Sequence, residues 1–163
     1  MKKKESGLTR VGIGILTVIL VIFIIIMMNL VSSIQGTARI VNYAGLVRGG
    51  TQRLVKLEIV GEPQGQMIQT IESYIDGLQN GSTELNFVRL NDAAFQEKVK
   101  EQKEYFQKLK EEILRVREKG YEQTNIIADS ETFFKLCDES TGLAEEYSQK
   151  KASRLRVLEK LIT

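Results

Sequence analysis

Val11-Gly12-Ile13-Gly14-Ile15-Leu16-Thr17-Val18-Ile19-Leu20-Val21-Ile22-Phe23-Ile24-Ile25-Ile26-Met27-Met28-Asn29-Leu30-Val31 lies within a stretch, from Arg10 to Arg39, that holds no charge between its two arginines. A helix needs about 20 apolar residues to cross the hydrocarbon of a bilayer, so the run is expected to form a transmembrane helix. Lys2, Lys3, Lys4 and Arg10 precede it against a lone Glu5, and basic residues beside a first span tend to stay in the cytoplasm. The expected topology is a cytoplasmic tail at 1–10, a cell-membrane span at 11–31 and an extracytoplasmic domain at 32–163. A cleaved secretory signal is the competing reading. Its apolar core would be shorter, about 7–15 residues, and no A-x-A site follows here, Val31-Ser32-Ser33 being a poor substitute.

Beyond the anchor the chain has enough residues for one domain and not comfortably for two. Its charges nearly cancel there, since the tail takes four of the 23 Lys+Arg and one of the 21 Asp+Glu. No basic patch for nucleic acid is visible. The chain has no histidine and one cysteine, which removes His-based acid/base chemistry, Cys/His nucleophile pairs, and thiolate or imidazole metal sites. No catalytic residue, metal ligand or cofactor is expected. Cys137 has no partner in its own chain for a disulfide. It can be read as a bridge between two subunits, or as a small thiol packed in step with Phe133, Ser140 and Ala144.

With one proline and little period-2 alternation, apolar spacings of three and four predict helices. Ile34, Ala38, Val41, Gly45, Arg48, Gln52, Val55 and Ile59 form the expected stripe of a first helix continuing out of the membrane, stopped by Gly61 and Pro63, with Pro63 opening the next helix. Ile68, Ile71, Ile75 and Leu78 mark a short second helix ending at Asn80-Gly81-Ser82. A third starts near Asn91 or Asp92 and carries Phe95, Val99, Gln102, Phe106, Leu109, Ile113 and Val116, with Gly120 closing it. The fourth is expected after Asp129-Ser130, with Phe133, Cys137, Ser140, Ala144, Tyr147, Leu155, Leu158 and Ile162 on one face. The expected fold is all-α: a transmembrane helix running into an antiparallel up-down four-helix bundle. An even number of helices returns residue 163 to the membrane, where a second span and a cytoplasmic output domain are expected to follow.

The first helix is interrupted by a polar, glycine-rich island. Gly45, Gly49 and Gly50 fall in mid-helix, where each glycine is worse than alanine by about 1 kcal/mol. Gly45 and Gly49 leave a groove for another backbone or a small ligand, while Arg48 and Gln52 occupy the apolar stripe. A guanidinium on such a seam needs acceptors, and a small planar anion matches its fork. If two such helices pair about a twofold axis, the facing Arg48 copies would share one anion and binding would draw the subunits together. Arg53 lies about 140° around the helix from Arg48 at 100° per residue. The structural alternative is that Arg48 pairs with a carboxylate of a neighbouring helix and the glycines serve tight packing.

Val41-Asn42-Tyr43-Ala44-Gly45-Leu46-Val47-Arg48-Gly49-Gly50-Thr51-Gln52-Arg53-Leu54 resembles the first-helix box of the nitrate/nitrite sensor histidine kinases and the related pilus-type chemoreceptor input domain. Asn42, Ala44, Gly45, Arg48 and Arg53 fall on that box, and the resemblance implies that Gly45 and Arg48 help hold an anion at a dimer interface. Gly49-Gly50 stands where the nitrate sensors carry bulkier residues, which widens the site. The Gly-Gly-Thr-Gln-Arg-Leu variant is most similar to extracytoplasmic inputs of membrane-bound diguanylate cyclases.

Residues and resemblance together predict the ligand-sensing input of a homodimeric membrane receptor. Its candidate ligand residues are Asn42, Gly45, Arg48, Gln52 and Arg53, and its helix motion is relayed inward by a small piston or rotation. The alternative is a membrane-tethered interaction or oligomerisation module without a small-molecule ligand. An enzyme is the weakest reading. Glu111-Glu112 and Glu145-Glu146 are neighbours that point apart on a helix and read as solvated surface, and Ser148 with Lys151 makes no nucleophile without a pocket.

Overall fold

The computed structural model describes residues 2–160, with side chains at 7 and from 9 to 157 and at 160. It is all-helical: α1 (Lys2–Ile59), α2 (Gly65–Asn80), α3 (Ala93–Lys119), a single 3₁₀ turn (Tyr121–Gln123) and α4 (Ile126–Lys160). No strand occurs among the described residues; an isolated bridge joins Ser82 and Phe87 in the α2–α3 loop. The chain divides into two units, residues 1–35 and 36–163.

The first unit is the apolar half of α1. It is long and apolar enough to cross a membrane, with a mean hydropathy of 3.2 in its most apolar window and none of that window buried. Val11, Leu16 and Ile22, at 61%, 68% and 52% exposure, are typical of it.

The second unit holds the core. On α1 the buried face is Thr37, Ile40, Ala44, Val47, Thr51, Leu54 and Glu58, with Val55 beside it. Each of the seven stands immediately before a residue of the expected stripe, so the core-facing side is turned by about 100° from the one that apolar spacing predicts. Three polar core residues conceal it. Thr51 donates its hydroxyl to the Val47 carbonyl at 2.8 Å, and Glu58 is held by Arg117 and by the Gln64 backbone. Buried polar groups with such partners are tolerated.

α1 ends as expected at Gly61, whose φ of +82° suits glycine. The Glu62 N–H reaches the Leu57 carbonyl and the Gly61 N–H that of Glu58, the paired hydrogen bonds of a Schellman stop. Pro63 lies in the turn, and α2 opens two residues later than predicted, at Gly65. α2 buries Ile71, Ile75 and Leu78, with Ile68 half-buried. Gly81 then takes φ +83°, and a Cβ there would stand 2.8 Å from the Arg89 backbone nitrogen, so glycine is demanded twice over.

The loop that follows is ordered by what it covers. Arg89 Nε donates to the Gln79 carbonyl, and Gln96 Nε2 donates to the carbonyls of Leu78 and Leu90. The Gln79 and Leu78 carbonyls are among those the end of α2 leaves unpaired, that of Leu90 belongs to the loop itself, and Phe87 and Leu90 enter the core.

α3 follows the sequence closely. Asp92 caps it by accepting from the Phe95 N–H at 2.9 Å, all seven predicted seam residues are buried, and Gly120 ends it. α4 begins before Asp129-Ser130, at Ile126, so those two residues lie buried inside its first turns rather than capping it. The Asn125 N–H at its start is taken by the Glu112 carboxylate of α3. Phe133, Cys137, Ser140 and Ala144 are buried as expected and Tyr147 and Leu155 are half-buried. The Leu158 side chain and Ile162 lie outside what is described.

Rising numbers on one helix meet falling numbers on the next. Asp76 pairs with Lys103 and Glu72 with Lys110 between α2 and α3. Glu139 meets Lys98, Ser140 meets Gln102 and Asp129 meets Lys108 between α4 and α3. Tyr43 of α1 packs edge-on to Tyr74 of α2, with ring centroids 4.9 Å apart, and against Phe87 of the loop.

Candidate ligand site on the first helix

The five candidate residues are divided by the turn of α1. Gly45, Arg48 and Gln52 share the half-buried flank beside the core-facing side, whereas Asn42 and Arg53 are exposed. A Cβ built on Gly45 or on Gly49 would meet nothing within 4 Å, and one on Gly50 would make only ordinary contact with Ile71 at 3.5 Å. Packing within the chain therefore requires glycine at none of the three. Their helix penalty of about 1 kcal/mol each is left without an intrachain reason.

Arg48 reaches across to α4. Its Nη1 donates to Asp138 Oδ1, and its guanidinium carbon lies 5.7 Å from the centroid of the Phe134 ring. The chain thus adopts the pairing half of the structural alternative, while nothing in the chain itself packs closely against Gly45 or Gly49. The pair is open: the two side chains are 36% and 61% exposed. Exposed pairs of this kind contribute about 0–1 kcal/mol, so a competing anion meets little resistance. Phe134 and Asp138 were not legible from spacing, since nothing in the sequence tells which residue of α4 lies level with Arg48.

Behind this edge lies a buried polar layer. Gln102 Nε2 donates to Ser140 Oγ at 2.8 Å, and the hydroxyls of Ser140 and Thr141 both donate to the Cys137 carbonyl. Gln102 Oε1 is buried with no hydrogen-bond partner among the described residues. Burial pushes the Cys137 thiol up to about 12, against the opposing pull of Gln102 and Arg48. Fully buried, Cys137 takes the packing role and not that of an intersubunit bridge.

A second set of charges lies toward the other end of α1. Glu58, whose side chain is 1% exposed, accepts from Arg117 Nε at 2.8 Å and Nη2 at 2.6 Å, and from the Gln64 N–H. Burial raises its pKa, but the Arg117 and Gln64 hydrogen bonds outweigh that and hold the carboxyl below its ordinary value. Asp129 follows the same pattern, with burial opposed by Lys108 and Tyr105. Glu112, expected on the surface, is instead buried against Arg115 and the Asn125 N–H, while Glu111 is exposed. Each carboxylate has its own cation, and among the described residues no group of three or more metal-ligating side chains comes together. Neither a family model nor a curated protein nor a solved structure matches the chain.

Proposed function

We propose that the chain is the extracytoplasmic ligand-sensing input of a membrane signalling receptor, anchored by the apolar part of α1 with its basic tail in the cytoplasm. The helices of residues 36–163 form an up-down four-helix bundle, a reading supported by the opposed numbering of the α2–α3 and α3–α4 contacts. The anchor is supported by an unburied apolar surface that water would penalise heavily.

The observation that carries the proposal is the open glycine face beside Arg48. Gly45 and Gly49 have no neighbour of their own chain to make room for, so the room serves something from outside. In the receptor reading that partner is a second copy, with a small anion held between the two Arg48 side chains and Gln52, Asn42 and Arg53 at its margin. An anion taking Arg48 from Asp138 loosens α1 from α4, and the change in that contact is the motion passed toward a cytoplasmic output domain. The local resemblance of residues 41–54 to nitrate/nitrite sensors supports the same reading.

The test is thermal unfolding of the detergent-solubilised chain with nitrate, nitrite, acetate and small dicarboxylates. A ligand present at 100 times its Kd stabilises by about 2.7 kcal/mol, and the expected stabilisation saturates in the wild type and vanishes in Arg48→Ala. Asp138, already partnering Arg48, favours the second reading, a tethered oligomerisation module. Concentration-dependent dimerisation with no response to any anion would establish it instead.

A further inference from the structure

The last stretch of α4 has a composition unlike the rest of the domain. Ala144 is the last buried residue among those described, and the 16 residues from 145 to Lys160 carry the helix about 24 Å further at 1.5 Å per residue. From residue 149 to 160 the sequence holds five basic residues, Lys150, Lys151, Arg154, Arg156 and Lys160, and one acidic residue, Glu159. Lys151 lies over the Tyr147 ring, with its Nζ 4.9 Å from the centroid. Leu155 is half-buried and Val157 is 58% exposed, which places apolar side chains among the cations.

The level of this stretch follows from the Arg48–Asp138 pair. Glu58 and Arg117 tie the ends of α1 and α3 together, and α4 starts beside Glu112 of α3, so α1 and α4 run in opposite directions. Counting twelve residues from Arg48 toward the N-terminus and twelve from Asp138 toward the C-terminus brings Gly36 level with Lys150. Gly36 is where the domain takes over from the apolar segment. The basic residues from Lys150 on therefore lie level with or beyond Gly36, the residue at which the second unit begins.

We propose that residues 150–160 of α4 form a basic arm that rests on the anionic headgroups of the bilayer, an inference that depends on the anchored reading above. Lysine and arginine stems lie along the headgroup region while their charges meet lipid phosphates, with Val157, on the same side of the helix as Lys150 and Arg154, reaching toward the acyl boundary. The contact holds the end of α4 at the surface, so that α4 serves as the fixed reference against which α1 moves.

The chain contains no tryptophan, so Val157→Trp in the full chain gives a single emission to follow. The protein is placed in nanodiscs bounded by a tryptophan-free belt, of phosphatidylcholine alone or with added phosphatidylglycerol, each with and without a brominated phosphatidylcholine. With phosphatidylglycerol the emission is expected to shift to the blue and to be quenched by the brominated lipid, and high salt should reverse both. Replacing Lys150, Arg154 and Arg156 together by Glu should abolish the response while circular dichroism and melting stay as in the parent. Equal emission in both kinds of disc overturns the arm, as does a shift produced by soluble glycerol phosphate in detergent. Carbonate extraction of the chain from the discs separates the two readings. Resistance to carbonate without a lipid-dependent shift overturns the arm and leaves the anchor standing, whereas release by carbonate overturns both.

Discussion

Among the described residues α1 makes two arginine–carboxylate contacts with the rest of its domain, and they differ in everything except their chemistry. Glu58–Arg117 joins a carboxylate that is 1% exposed to two nitrogens along one edge of a guanidinium and adds a backbone donor. Arg48–Asp138 joins two half-open side chains through one nitrogen. Water, not the identity of the groups, sets what each can do. A buried carboxylate stripped of its cation is left uncompensated at a cost of several kcal/mol, whereas an exposed pair exchanges its partner for solvent or another anion almost freely. The first contact fastens the helix, and the second can be contested.

Several measurements would break or sharpen this contrast. Leu54→Ala, on the inner face near the fastened end, should lose about 3 kcal/mol in denaturant unfolding because a fully buried side chain leaves a cavity. Arg117→Ala should cost about 2 kcal/mol, below the full penalty for a buried pair because the Arg117 side chain is itself 32% exposed. Acid should find the same contact. Glu58 and Asp129 titrate below their ordinary values in the fold, so their contribution is complete above the unfolded carboxyl pKa of about 4 and lost as the pH falls through the lower folded values. A plot of melting temperature against pH should decline below about pH 4, less steeply in Arg117→Ala. Gly49→Ala should stabilise an isolated monomer by about 0.5–1 kcal/mol, since the added methyl meets nothing and glycine is the poorer helix former. If the same change weakens dimerisation or anion response, the open face belongs to a partner; if it stabilises without other effect, it does not. Asp138→Ala should shift unfolding by less than about 1 kcal/mol, yet tighten the binding of any anion that uses Arg48.

Much of the domain was readable because its helices announce themselves. The seam of α3 from Phe95 to Val116 and the glycine stops at 61, 81 and 120 follow directly from spacing and backbone preference. The inner face of α1 did not, because Thr37, Thr51 and Glu58 occupy core positions that an apolar count passes over. Only the hydrogen bonds of Thr51 and Glu58, one local and one across helices, reveal why such residues are admitted. The start of α4 was missed for a related reason: Asp129 looks like a cap, yet it is a buried acceptor for Tyr105 and Lys108. At the candidate site Arg48 and the glycines stood out from sequence, but Asp138 and Phe134 belong to a distant segment and become neighbours only through the register of α4.

Cys137 has one further consequence. A thiol whose pKa stands at about 12 is almost wholly protonated at neutral pH, and one enclosed by packed side chains offers no path to an alkylating reagent or to oxidised glutathione. The folded domain should thus behave toward such chemistry as if it contained no cysteine, and its slow labelling would time the opening of the core rather than the reactivity of the sulfur.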